Sequence, residues 1–87
     1  MSSVIVYTTE RCGSCIGAKK LLEKRGIAYQ EVNLSRDPDS RAELQRMTGM
    51  FTFPQVIVAG RAIGGFTELL AADRDGRLAE LLQDEAA

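Results

Sequence analysis

The first apolar run, Val4-Ile5-Val6-Tyr7, is β-branched and aromatic and predicts a buried strand over residues 4–8. Residues 9–13 then read as a loop. From Ser14 to Arg25 the period changes. Cys15, Ala18, Leu21 and Leu22 fall on one helical face, with Lys19, Lys20, Glu23 and Lys24 largely off it. Gly26 suits the position just past a helix end. Residues 27–34 alternate well enough to predict a second strand, parallel to the first across a right-handed crossover. Asp37-Pro38 reads as an N-cap followed by proline at the first helical position. The helix it opens carries Leu44 and Met47 inward to about Thr48, and Gly49 ends it. Residues 55–59 and 61–64 predict two further strands joined by a tight turn at Ala59-Gly60. Gly64-Gly65 breaks the last strand, and Thr67 is placed to cap a helix running to about Asp73. Gly76 separates that helix from a short final one carrying Leu78, Leu81 and Leu82. The expected class is α/β: a four-stranded mixed sheet flanked by helices.

Composition narrows the possibilities. At 87 residues the chain is read as a single domain, 1–87, with room for one small core. Eleven basic and twelve acidic residues give a formal charge of −1, which argues against nucleic acid as the main partner. No apolar stretch approaches the roughly 20 residues that span a bilayer, so no membrane association is expected. The segment Met1-Ser2-Ser3-Val4 carries no basic, then apolar, leader pattern. The expectation is a cytoplasmic protein, where thiols are kept reduced.

The two cysteines then carry the chemistry. They lie together in Arg11-Cys12-Gly13-Ser14-Cys15, between the first strand and the first helix. A C-x-x-C in that position is a thiol–disulfide exchange signature. Exchange needs a thiolate. Cys12 lies just before the helix, where unpaired N–H groups and the dipole favour an anion, and Arg11 adds a permanent positive charge. Cys15 falls on the apolar face and should be less ionised. Cys12 is therefore the expected nucleophile and Cys15 the resolving thiol. Half a zinc site is the competing reading, but the chain has no histidine and no third cysteine. Two inert buried cysteines fit less well, because the spacing coincides with a helix start. Without histidine, the usual Ser–His and Cys–His nucleophile pairs are absent.

Two other stretches stand out. In Phe51-Thr52-Phe53-Pro54-Gln55 a proline directly precedes a strand. In Ile63-Gly64-Gly65-Phe66-Thr67-Glu68 two glycines precede a helix whose N-terminus is a seat for a carboxylate. The element order fits the smallest thioredoxin-like architecture. In that fold such a proline is cis and lies against the cysteine loop. The residue before it then offers its backbone to an extended, cysteine-containing substrate.

The three stretches, in this order and along nearly the whole chain from Val4 to Leu82, resemble the glutaredoxin family. The resemblance implies a thioredoxin-like, glutaredoxin-type fold and a glutathione-dependent thiol–disulfide oxidoreductase. Cys12 would attack protein disulfides or glutathione mixed disulfides, and Cys15 or a second glutathione would release it. The implied partners are glutathione, as cosubstrate, and oxidised or glutathionylated proteins. The implied glutathione contacts are Arg11, Arg41, Thr52, Phe53, Pro54, Gly65, Phe66 and Thr67. Of these, Arg41 would meet the glycine carboxylate, Phe53 the cysteinyl backbone, and Gly65, Phe66 and Thr67 the γ-glutamyl end. Thr9 stands where the family usually has Lys, and Thr67 where an Asp is common, which removes two charged contacts. The motif is also a hybrid. Arg11-Cys12-Gly13-Ser14 and Thr52-Phe53-Pro54-Gln55 look like the Cys-Gly-Phe-Ser monothiol glutaredoxins, yet Cys15 stands where those have Ser. The alternative this implies is a [2Fe-2S] carrier or sensor, in which Cys12 from each of two chains, with two glutathiones, ligates the cluster. The chain would then be a homodimer when loaded and a monomer otherwise. A redoxin recharged by a flavoprotein reductase fits poorly, since that class has a Trp-rich C-terminal signature and this chain has no Trp.

Overall fold

The computed structural model describes residues 3–86; Met1 and Ser2, on which the N-terminal reading partly rests, and Ala87 lie outside the described residues. The order is β1 (Val4–Thr8), α1 (Gly13–Lys24), β2 (Gln30–Asn33), α2 (Pro38–Thr48), β3 (Gln55–Val58), β4 (Arg61–Gly64), α3 (Phe66–Asp75) and α4 (Arg77–Ala86). The four strands form one mixed sheet in the order β2-β1-β3-β4. β1 pairs parallel with β2 and antiparallel with β3, which forms a hairpin with β4. No described helix is long and apolar enough to cross a membrane.

Alternation along the central strands explains the layers. Val4 and Val6 of β1 oppose Val58 and Val56 of β3, and all four are fully buried on one face. Ala18 and Leu22 of α1, Leu69 and Ala72 of α3 and Leu78 of α4 pack with them into one core. Gln55, of the opposite parity to Val56, meets the end of α2 through Thr48. α2 therefore sits across the sheet from the main core.

The caps follow the sequence closely. Asp37 accepts the Ser40 N–H at 3.0 Å, Pro38 occupies the first turn, and Gly49 ends α2 at φ 73°. Met47, expected inward beside Leu44, instead stands 67% exposed on the outer side of α2. Several element ends fall one residue from their expected places, and three boundaries differ for a physical reason. β2 starts at Gln30 rather than Ile27. The N–H groups of Gly26 and Ile27 return to the carbonyls of Glu23 and Leu22, so these residues close the end of α1 instead of joining the ladder. α3 starts at Phe66 with Gly65, not Thr67, as its N-cap. The Glu68 carboxylate reaches back to the Gly65 N–H at 2.7 Å and supplies the missing acceptor. α3 also runs on to Asp75, two residues past the expected end, until Gly76 turns left-handed at φ 85°.

Candidate active site

β1 delivers the chain to the site. Its last residue, Thr8, is buried and donates to the Glu31 carboxylate at 2.8 Å, which Lys19 of α1 also bridges at 3.2 Å. The Thr8 hydroxyl, and after it the Lys19 ammonium, hold the Glu31 carboxyl below the usual carboxylate range, against partial burial. Past Thr8, the Glu10 N–H is bound by the Ser35 hydroxyl at 2.6 Å. Arg11 takes a left-handed φ of 55°, a conformation that costs a side-chain-bearing residue about 1–2 kcal/mol. That turn presents Cys12 as the N-cap of α1.

No Ser, Thr, Asp or Asn caps this helix; sulfur does. Cys12 Sγ accepts the Cys15 N–H at 3.1 Å, and the first turn of α1 carries no acidic side chain. A thiolate at Sγ would thus meet a helix N-terminus with no carboxylate in its first turn to oppose it. Cys12 and Cys15 are joined as a disulfide, with 5.2 Å between their Cα atoms. Cys15 is only 2% exposed, whereas Cys12 is half-buried. Gly13 and Ser14, between them, face solvent, and a methyl group on Gly13 would touch nothing within 4 Å.

The proline stretch closes over this loop. The Phe53–Pro54 bond is cis, as the fold led us to expect, and the Phe53 carbonyl oxygen lies 3.7 Å from Cys12 Sγ, 41 residues away in sequence. Pro54 is buried, Phe53 half-buried and Thr52 exposed. The glycine stretch meets the same segment: a methyl on Gly65 would lie 3.4 Å from the Pro54 carbonyl oxygen. Cys12, Phe53, Pro54 and Gly65 are thus drawn together from three distant parts of the chain. Thr67 is exposed on the first turn of α3. Phe66 instead lays its ring over Gly17 of α1 and against the core. Arg41 donates through Nη1 to the carbonyls of Leu34 and Ser35, buttressing the loop that holds Glu10. Among the described residues, no three His, Cys, Asp or Glu side chains gather as a metal site.

Three contributors escaped the sequence reading. Glu68 supplies one half of a capping box by accepting the Gly65 N–H, while glycine at the N-cap leaves no side-chain acceptor for the helix N–H groups; its signal was an acidic residue three positions after Gly65. Gly17 makes room for Phe66, and nothing local announced it. Gln55 is a polar residue opening an otherwise apolar strand, and it is 1% exposed. Its amide donates to the carbonyls of Met50 at 3.0 Å and Thr52 at 3.2 Å and accepts from the Thr48 hydroxyl at 2.9 Å.

Comparison with known proteins agrees with this geometry. The Glutaredoxin family model matches residues 4–63. A glutaredoxin of Pseudomonas aeruginosa is 42% identical over 82 residues, covering 94% of this chain and 98% of that one. Glutaredoxin 3 of Escherichia coli is 36% identical over 83 residues, covering 95% and 100% respectively. Among solved structures, a buckwheat glutaredoxin–glutathione complex superposes with a TM-score of 0.86 at 33% identity, covering 94% of this chain and 77% of its own.

Proposed function

The chain belongs to the glutaredoxin family of thiol–disulfide oxidoreductases, and from that premise we propose that it uses glutathione, with Cys12 as nucleophile and Cys15 as resolving thiol. One observation carries the reading. Cys12 Sγ sits at the N-terminus of α1, accepting a backbone N–H, while facing the backbone of the residue before the cis-proline.

The Cys12 thiolate attacks the glutathione sulfur of a glutathionylated protein. The S–S bond breaks, the protein thiolate leaves, and Cys12 carries glutathione. A second glutathione thiolate attacks that sulfur, releasing glutathione disulfide and the Cys12 thiolate. With a protein disulfide, Cys15 attacks the Cys12 mixed disulfide instead. The 12–15 disulfide forms as the substrate takes up two electrons, and two glutathiones then reduce it. Burial of Cys15 means that this second route requires it to emerge or to act across the short distance to Cys12. The glutathione contacts we assign are Arg11, Arg41, Thr52, Phe53, Pro54, Gly65, Phe66 and Thr67. Three features support this placement: the open backbone at Phe53, the helix N-terminus behind Gly65, and the cationic Arg11 beside Cys12. The buckwheat relative is a complex with glutathione. Arg41 and Phe66 also hold the loop and the core, so their contribution to binding is expected to be the smaller. We further propose a cytoplasmic single domain acting on oxidised or glutathionylated proteins.

The test is a coupled assay with glutathione, glutathione reductase and NADPH on a small glutathione mixed disulfide. Cys12→Ser is expected to be inactive, and Cys15→Ser to retain deglutathionylation while losing reduction of intramolecular protein disulfides. Full turnover by Cys12→Ser would overturn the assignment.

One chain does not fit a [2Fe-2S] cluster, which needs about four ligands, because Cys15 is buried and, among the described residues, no ligand cluster accompanies Cys12. The alternative is confined to a homodimer built on one Cys12 from each chain, with room offered by Gly13 and Ser14. Anaerobic reconstitution with iron, sulfide and glutathione tests it, and a colourless monomer would rule it out.

A further inference from the structure

We propose that Gln55 is a positioning residue for the substrate-facing backbone at 51–53, and so sets the affinity for an extended cysteine-containing substrate. The inference deepens the proposed function, resting on its premise that such a substrate pairs with the Phe53 backbone.

Gln55 opens β3 and is paired with Tyr7 in the sheet. Its side chain points away from the Val56 and Val58 core, into the fold beneath the proline stretch. There the amide meets two carbonyls, Met50 and Thr52, and one hydroxyl, Thr48. Carbonyls only accept, so both must face the NH2 group, and the amide orientation follows without ambiguity. The Thr48 hydroxyl in turn receives the Met50 N–H at 3.2 Å. Residues 50 and 52 are thus fastened from below by one side chain anchored in the sheet and in the end of α2. The next residue, Phe53, carries the carbonyl 3.7 Å from Cys12 Sγ. Among the described residues, no backbone–backbone hydrogen bond outside the regular elements involves residues 50–54. Gln55 therefore supplies two of the side-chain hydrogen bonds that hold this segment, with Thr48 supplying another. An apolar residue of similar size would fill the space but leave the two carbonyls without their donors. A glutamate would set its own negative charge against them.

The experiment uses the full chain in a Cys15→Ser background, fully reduced, without glutathione. A blocked peptide with a central cysteine in mixed disulfide with thionitrobenzoate is the probe. Cys12 attacks the peptide sulfur, the peptide–Cys12 disulfide forms, and thionitrobenzoate leaves with its absorbance. The rate is followed against peptide concentration, at a temperature where circular dichroism shows each variant folded. For Gln55→Met, the half-saturating peptide concentration should rise about tenfold, equivalent to about 1.4 kcal/mol of binding. The limiting rate and the alkylation of Cys12 by iodoacetamide should stay within about threefold, an order-of-magnitude bound for an unchanged thiolate. An unchanged half-saturating concentration overturns the proposal. So does a loss confined to limiting rate and alkylation, which would mean that Gln55 acts on Cys12 itself. If Gln55→Met does not fold, Gln55→Glu decides. Its half-saturating concentration relative to Gln55 should fall as pH drops from about 8 to about 5, as the carboxyl regains a proton to donate; a flat ratio overturns the proposal. Because no glutathione is present, failure here is distinct from failure of the coupled assay.

Discussion

Replacing Gly17 by alanine sets two known effects against each other inside α1. In a helix interior, alanine is favoured over glycine by about 1 kcal/mol. The added methyl, however, would lie 2.9 Å from Cζ, 3.0 Å from Cε2 and 3.3 Å from Cε1 of Phe66. Carbon pairs are most stable near 3.5–4.0 Å, so the ring must retreat by about 0.6 Å or more. That movement is resisted because Phe66 is the first residue of α3 and packs against the core. Overpacking of this kind costs about 1–3 kcal/mol. We expect Gly17→Ala to destabilise by about 1 kcal/mol net, a fall in Tm of about 4–8 °C for a domain of this size. Urea unfolding of four proteins isolates the contact: the parent, Gly17→Ala, Phe66→Ala and the double variant. Without the ring, Gly17→Ala should stabilise by about 1 kcal/mol, leaving a coupling energy near 2 kcal/mol. A coupling below about 0.5 kcal/mol would refute the reasoning, since independent sites add to within that margin.

Other expectations follow from the charge network and the hairpin. Thr8→Val removes the hydroxyl that holds Glu31 as a carboxylate and should cost about 1 kcal/mol near pH 7 in urea titrations. Since the Glu31 pKa is lowered by folding, that contribution is present above the unfolded carboxyl value and lost as pH falls through the folded one. The two proteins should therefore converge in stability in acid, and a constant gap would count against the assignment. The Tyr29 hydroxyl donates to Glu23 at 2.6 Å, and that bond, with burial and the neighbouring carboxylates, raises its pKa to about 12. The stabilisation is complete below the unfolded tyrosine value and fades as pH rises through the folded one. Ultraviolet titration in a Tyr7→Phe background should show the late phenolate, and Glu23→Gln should bring it back toward about 10. Ala59 holds a left-handed φ of 51° before Gly60 at 78°. Ala59→Asn should therefore raise stability by about 0.5–1 kcal/mol, measured by thermal melting, because Asn tolerates this turn position.

The sequence revealed the layout wherever one local cause acted alone. The strand of Val4 to Thr8, the Asp37-Pro38 cap and the glycine ends of α1, α2 and α3 were legible because each follows from the chemistry of one short contiguous stretch. Readings failed where two local preferences competed. Ile27 to Tyr29 alternate like a strand, but Ile27 is spent closing α1. Thr67 is a good cap, but Glu68 reaches Gly65 first. The cysteine pair was legible because strand, spacing and helix start coincide. The roles of Gln55 and Gly17 were not, because each depends on partners remote in sequence or on the packing of another helix. Arg41 shows the same limit: its side chain braces the Leu34–Ser35 turn, a use that spacing does not announce.

The empty space over Gly13 has a consequence for how this site can diversify. A methyl group added there meets no part of its own protein within 4 Å, so the fold leaves space for a small side chain. Only an arriving substrate, or a second protomer, would register the change. Position 13 is thus one where a small side chain can alter selectivity at little steric cost to the fold.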